Sequence, residues 1–280
     1  MTNSLKLYLI ESPGDPEHAK EITGTGKIGP TPRPLPRVRS LVVEVAGSLV
    51  LVEPGLSTFD WLAPRRRANR WLPWSRSLAR DARDVVRQRL ERKDLSPDRV
   101  EHIVLTHTHP ESMGGVSDFP LARIHALTDP RLAENRSQSD PLPQLAQGNQ
   151  YVAPSQEVVL WHGFRAHRLA IPSLEVYLLE MPGHTAHHAG VLLSQGANYV
   201  LHLGHAVQSL DELLNPARHS ANSSWLQMFR QERPFSALLT YQSIRALVRH
   251  PPGPLTILAS SGATAQLSLG PGPHPSLVVL

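Results

Sequence analysis

Proline constrains this chain more than any other residue: 26 of its 280 residues are proline, against a typical share of about 5%. Each proline removes a backbone donor and clashes with the preceding helical turn. Long uninterrupted helices are therefore expected to be few, and the apolar residues must be buried largely by short elements. Val38 to Ala46 and Leu49 to Glu53 are β-branched and near-continuously apolar, as strands covered on both faces are. They face each other across a tight turn at Gly47-Ser48. Leu5 to Ile10 is a first strand, and the Pro/Gly-rich stretch from Ser12 to Pro36 reads as an extended loop. Ser77 to Lys93 carries Leu78, Val85, Val86 and Leu90 as an apolar helical stripe, and His102 to Thr106 is the next strand. Strands follow at Arg123 to Leu127, Glu157 to Leu160, Phe164 to Leu169, Leu174 to Glu180, Gly190 to Ser194 and Tyr199 to Leu203. Asn135 to Gln150 is a polar surface loop, Ser223 to Gln231 and Ser236 to Val248 are helices, and Leu255 to Ala259 is a last strand. Two groups of consecutive strands predict two sheets with helices outside them.

There is no cysteine, which excludes disulfides, thiolate metal sites and cysteine nucleophiles. A transition metal must then be held by His, Asp or Glu. No apolar run approaches the roughly 18 residues of a membrane span, and Leu7 to Ile10 is too short for a signal-peptide core, so a cytoplasmic, soluble protein is expected. The net charge of +4 is concentrated, because Arg65 to Lys93 holds eleven Lys and Arg against Asp81, Asp84 and Glu91. Interleaved with Trp61, Trp71 and Trp74, these cations could track a nucleic acid, contact a membrane surface or cover an acyl substrate. They equally suit a solvated helix face whose tryptophans pack on the core.

Among fifteen histidines, His107 and His109 lie just past a strand, two residues apart, so that in extended backbone both rings point to one side. His184 follows another strand end, in Met181-Pro182-Gly183-His184-Thr185. Three neutral imidazoles that leave one position for water are the arrangement with which zinc makes hydroxide near neutral pH. Histidines are also common on surfaces and in cores, and the spacing alone leaves that reading open.

The surrounding residues decide between these. Thr106-His107-Thr108-His109-Pro110-Glu111-Ser112-Met113-Gly114-Gly115 resembles the Thr-His-x-His-x-Asp-His-x-Gly-Gly signature of the metallo-β-lactamase-fold superfamily. Leu51-Val52-Glu53-Pro54-Gly55 looks like its early Val-Asp-Thr-Gly turn, and Pro182-Gly183-His184-Thr185-Ala186-His187-His188-Ala189-Gly190 like its Pro-Gly-His-Thr-Pro-Gly-His-x-Gly segment. Tyr199 to His205 stands in the place of its strand ending in Gly-Asp. The resemblance implies an α/β four-layer αββα sandwich of two mixed β-sheets flanked by helices. It implies a single domain over residues 1–280 with a basic Trp/Arg-rich insertion at about 61–93, and its layout is most similar to the acyl-homoserine lactonase branch.

Carried over residue by residue, the first metal site of the family maps onto His107, His109 and His184, which implies one zinc ion per chain. The second site is broken: Glu111, Ser112 and His205 occupy three of its ligand positions, and no histidine stands near Ser260-Ser261-Gly262. Glu53 replaces the early Asp, and Gln208 stands roughly where lactonases keep a tyrosine. Glu111 could orient or deprotonate the activated water, or could be a solvated or helix-capping acid. His205 could close a fourth ligand position, hydrogen-bond behind the ligands or simply pack, and His188 is expected to hold its loop by a hydrogen bond. His18, His125, His162, His167, His202, His219, His250 and His274 read as ordinary histidines. Two functions follow: a metal-dependent hydrolase of a small-molecule ester or lactone, in which Glu111 and His205 assist, or a non-catalytic relative with a structural or absent metal and a binding role.

Overall fold

The computed structural model describes residues 5–13, 37–59, 85–132, 148–214, 231–261, 266–275 and 277–279. The expected loop at 14–36, the Trp/Arg-rich stretch and early helix over 61–84, most of the polar loop at 135–150 and the helix at 223–230 lie outside the described residues.

Strands β1 (Lys6–Pro13), β2 (Arg37–Val45), β3 (Ser48–Val52), β4 (Val100–Val104), β5 (Arg123–His125), β6 (Gln150–Tyr151) and β14 (Leu277–Val279) form one seven-stranded sheet in the order β14-β1-β2-β3-β4-β5-β6. Strands β7 (Val158–Trp161), β8 (Phe164–Arg168), β9 (Glu175–Glu180), β10 (Ala189–Gln195), β11 (Asn198–His202), β12 (Leu255–Leu258) and β13 (Gln266–Leu269) form the second, in the order β13-β12-β11-β10-β9-β8-β7. Both sheets are mixed: β3, β4, β5 and β6 pair in parallel, as do β11 and β12, whereas β1, β2 and β3 pair antiparallel.

Strand alternation sorts the apolar residues into three cores. Leu41, Val43 and Val45 of β2, Val50 and Val52 of β3 and Val104 of β4 point between the sheets, where they meet Val176, Leu178, Val191, Leu193 and Val200. Their sequence neighbours Val42, Leu49, Leu51 and Ile103 point outward, against Val86 and Leu90 of helix α1 (Val86–Glu91). On the far face of the second sheet, Leu179, Leu192, Leu201 and Ile257 meet Leu210 and Leu213 of α3 (Leu210–Leu214) and Ile244 and Leu247 of α4 (Pro234–Arg249). The layers are therefore helix, sheet, sheet, helix, as expected. Covering both faces of each sheet is why its central strands read as continuous apolar runs.

Several details differ from the sequence reading, among them Gln150, which pairs in β6 instead of closing the polar loop, and the helix expected to reach Lys93, which ends at Glu91. The hairpin turns at Ala46-Gly47, with Val45 paired to Ser48. Both turn residues have positive φ, 49° and 87°, which matches the right-handed twist of the flanking strands. Leu255–Leu258 is not the last strand: β13 follows it with half-buried and exposed residues in alternation, and β14 has three residues, so neither carries a strong apolar signal. The short helices α2 (Pro110–Met113) and α3 were not expected either.

Arg39 of β2 ties the two sheets together. Its N–H donates to the Ser260 carbonyl at 2.8 Å, and its own carbonyl lies 3.2 Å from Nε2 of His202. Nδ1 of His202 accepts from Gly204 N–H at 3.2 Å, so Nε2 carries the ring proton and donates to Arg39. The Arg39 guanidinium in turn reaches Glu11 on β1 at 3.0 Å. Among the described residues, no helix is long and apolar enough to cross a membrane.

Candidate metal centre

At the end of β4 the chain leaves the first sheet for the second. Leu105 N–H still donates to the His125 carbonyl at 2.9 Å, but the Thr106 carbonyl accepts from Ala189 N–H of β10 at 2.8 Å. This crossing ends the strand two residues earlier than the apolar pattern suggests, and it delivers His107 and His109 to the edge where the sheets meet. From the second sheet, β9 ends at Glu180 and runs into a tight loop closed by Met181 N–H on the His188 carbonyl at 2.9 Å and Gly183 N–H on the Thr185 carbonyl at 3.0 Å. That loop carries His184. A turn after β11 brings His205, whose N–H donates to Nε2 of the fully buried His188 at 3.1 Å, the loop-holding role expected of His188.

The ligand atoms of His107, His184 and His205 all lie within 4.8 Å of one another. Nδ1 of His109 is 3.1 Å from Nε2 of His184, and the His109 ring lies 4.9 Å from that of His107. Two nitrogens bound at about 2.0–2.1 Å to one tetrahedral ion stand about 3.3 Å apart, so this pair sits close to ligand spacing. Burial, with the neighbouring imidazoles next, holds His184 well below the ordinary histidine pKa, and His188 falls to about 3 for the same reasons. Neutral rings are the form that binds a transition metal. An all-nitrogen set without thiolates suits zinc or a similar divalent ion.

Beneath the cluster lies Glu53, fully buried, at φ 56° directly after β3. Its carboxylate accepts hydrogen bonds from the hydroxyls of Thr106 and Ser260, and from that of Ser112 at 3.2 Å. Thr106 gives its single hydroxyl proton to Glu53, so the 2.9 Å contact between Thr106 Oγ1 and His107 Nδ1 has the ring as donor. Nε2 of His107 is then the nitrogen left for an ion. Burial alone would raise the Glu53 pKa; the hydrogen-bonding and electrostatic influence of the His107 ring, with the His202 and His205 rings beside it, outweighs that and holds the carboxyl well below the usual carboxylate range. Gly204, at φ 57°, permits this packing: a Cβ there would lie 2.7 Å from Thr106 Oγ1 and 2.8 Å from His188 Nε2.

The sequence-predicted residues are thus largely brought together. His107, His109, His184 and His205 share one space, and Ser112 turns to Glu53 instead of toward the histidines. Glu111 lies in α2, directly after His109, with its side chain outside the described residues. Gln208 follows β11, and its carbonyl accepts from Ser261 Oγ at 3.2 Å. Sequence reasoning missed Gln231, whose Oε1 is 3.2 Å from His184 Nδ1, and Glu232, whose Oε1 is 3.8 Å from His109 Nε2. Neither stands in a motif, and both are 45 or more residues from the histidines they face. It also read His125 as ordinary, whereas His125 and His102 form a fully enclosed pair between the sheets.

Residues 34–257 match the family model described as the metallo-beta-lactamase superfamily. A curated relative, the probable metallo-hydrolase Rv2300c of Mycobacterium tuberculosis, is 33% identical over an alignment of 178 residues that covers 59% of this chain and 55% of that protein. The chain thus spans about half the length of the curated relatives it matches. Among solved structures, a probable metal-dependent hydrolase from Staphylococcus aureus is similar at a TM-score of 0.63 and 12% identity, covering 96% of this chain and 94% of that one. An N-acyl homoserine lactone hydrolase, solved with N-hexanoyl-L-homoserine bound at its catalytic metal centre, is similar at 0.56 and 17% identity, covering 89% and 90%. At these identities the structures show a shared fold.

Proposed function

The chain belongs to the metallo-beta-lactamase superfamily, and from that premise we propose that it is a metal-dependent hydrolase acting on a small-molecule ester or lactone through a single ion. The observation that carries this is the convergence of four imidazoles from both sheets on one space. His107, His109 and His184 are the ligands in this reading. Bound there, a zinc ion would supply Lewis acidity, lowering the pKa of water and polarising a carbonyl. Glu53, through Thr106, holds His107 in the tautomer that presents Nε2. His205 lines the same space and would assist from there. Glu111 is the carboxylate that orients or deprotonates the attacking water. The lactone reading draws support from the layout shared with the lactone hydrolase, whose product sits at its metal centre.

The position of His205 favours a second reading, in which its ring completes a four-nitrogen shell and the ion is structural. Elemental analysis of untagged protein, paired with a lactone and ester panel, separates the two. One ion per chain, with hydrolysis lost on chelation and restored by zinc, is the expected result. One tightly held ion with no turnover on any panel member favours the structural reading, and no bound ion overturns both.

A further inference from the structure

We infer that Gln231 and Glu232 are positioning residues for the metal centre, together fixing the outer ring nitrogens of His184 and His109 so that their inner nitrogens face the ion. The inference rests on the metal-site reading above and names residues that reading does not use. His184 and His109 approach each other through Nε2 and Nδ1, at 3.1 Å. Their opposite nitrogens each face an oxygen from two consecutive residues. His184 Nδ1 lies 3.2 Å from Gln231 Oε1, within hydrogen-bond distance, and an amide oxygen can only accept, so the ring proton belongs on Nδ1. His109 Nε2 lies 3.8 Å from Glu232 Oε1, too far for a direct hydrogen bond but close enough for the carboxylate to favour a protonated Nε2. This is the arrangement that Glu53 and Thr106 impose on His107 from below. Each of the three rings thus has an oxygen behind it, the device that orients imidazole ligands and sets their tautomer.

The pair is itself held in place. Glu232 Oε2 accepts from Ala186 N–H at 3.1 Å, Arg233 N–H donates to the Gly183 carbonyl at 3.1 Å, and Thr240 Oγ1 donates to the Pro182 carbonyl at 2.8 Å. Gly183 is close enough to α4 that a Cβ there would lie 2.6 Å from Ala237 Cα. The start of α4 and the loop bearing His184 are therefore docked along four consecutive contacts, with both oxygens on the outer side of the cluster.

The test uses the full chain with Gln231→Leu, Gln231→Glu and Glu232→Gln, each titrated with zinc against a chromophoric chelator and melted in metal-free form. Gln231→Leu and Glu232→Gln should weaken zinc binding 10–100-fold without moving the metal-free melting temperature, and Gln231→Glu, which keeps an acceptor oxygen, should stay within a few-fold of wild type. Imidazole nitrogen shifts of the metal-free protein should show His184 protonated at Nδ1 in wild type and at Nε2 in Gln231→Leu. A wild type that binds zinc beside a Gln231→Leu that binds equally well overturns the inference while leaving the metal site standing. A fall in metal-free melting temperature that matches the loss of affinity overturns it in favour of a folding role. A wild type that binds no zinc overturns the metal-site reading, and the inference with it.

Discussion

Nδ1 of His102 and Nε2 of His125 face each other at 2.9 Å between the sheets, one ring from each of two neighbouring parallel strands. Burial depresses the pKa of both: His125 falls to about 4 with help from His102 and Arg123, and His102 falls with help from Arg123. The unfolded chain takes up these protons near the ordinary value of 6.5, before the folded chain does. Stability is therefore full above that value and is lost as pH falls from there toward 4, by up to about 1.4 kcal/mol per pH unit for His125 alone. Denaturant unfolding at a series of pH values should show this slope in wild type and a shallower one in His125→Gln, and equal slopes would show that the pair does not carry it.

His109→Ala removes one imidazole of the proposed ligand set. Zinc affinity should fall by several orders of magnitude, hydrolysis should vanish with it, and added zinc should no longer raise the melting temperature, because an ion that binds only the folded state stabilises it by mass action. His205→Ala should retain zinc and lose turnover if His205 only lines the site. Loss of zinc in that variant would place His205 in the shell. Chelator competition and the substrate panel together read all of these outcomes.

The cage around Glu53 predicts a cost that reaches the metal. Glu53→Gln keeps the size of the side chain but removes the charge that Thr106, Ser112 and Ser260 donate to. Hydrogen bonds to charged groups contribute about 1.5–3 kcal/mol each, and a loss of about 2–4 kcal/mol in unfolding free energy is expected. The amide offers one acceptor oxygen where the carboxylate offered two to Thr106, Ser112 and Ser260, so Thr106 is less firmly held as an acceptor for His107 and zinc affinity should fall as well. A variant as stable as wild type would show that the carboxylate is not ionised in the folded protein.

What the sequence made legible were the features written locally. The β-branched runs of β2 and β3 announce strands because both faces of the sheet are buried, and the spacing of His107 and His109 after β4 announces a shared direction. Other features depend on distance. Glu53 meets Ser260 across 207 positions, and nothing in a lone serine says which carboxylate it will face. His125 looked ordinary because one residue of register decides whether a strand histidine points at solvent, at a helix or at another histidine. Gln231 and Glu232 stand in no motif, and only the docking of α4 on the Gly183 loop gives them their partners.

That docking can be tested at its closest point. Gly183→Ala would set a methyl group against the backbone of α4 at 2.6 Å and force the helix from the loop. The expected result is a loss of about 1–3 kcal/mol in stability, together with weakened zinc binding, because His184 would lose Gln231. Unchanged affinity would show that the loop holds His184 without the helix.

The tie through Arg39 bears on how the sandwich opens. Two stacked sheets can in principle slide or part locally while each keeps its own ladder, but Arg39 of β2 is bonded through its N–H to Ser260, just past β12, and through its C=O to His202, the last residue of β11. Neither bond survives a shift of one sheet along the other. The Arg39 amide proton should therefore exchange with solvent only when the whole chain unfolds, with a protection free energy equal to the global value, whereas the amides of edge strand β7 should exchange through smaller openings. Native-state hydrogen exchange can read both, and an Arg39 amide that exchanges well ahead of the slowest core amides would mean that the sheets separate without the chain unfolding.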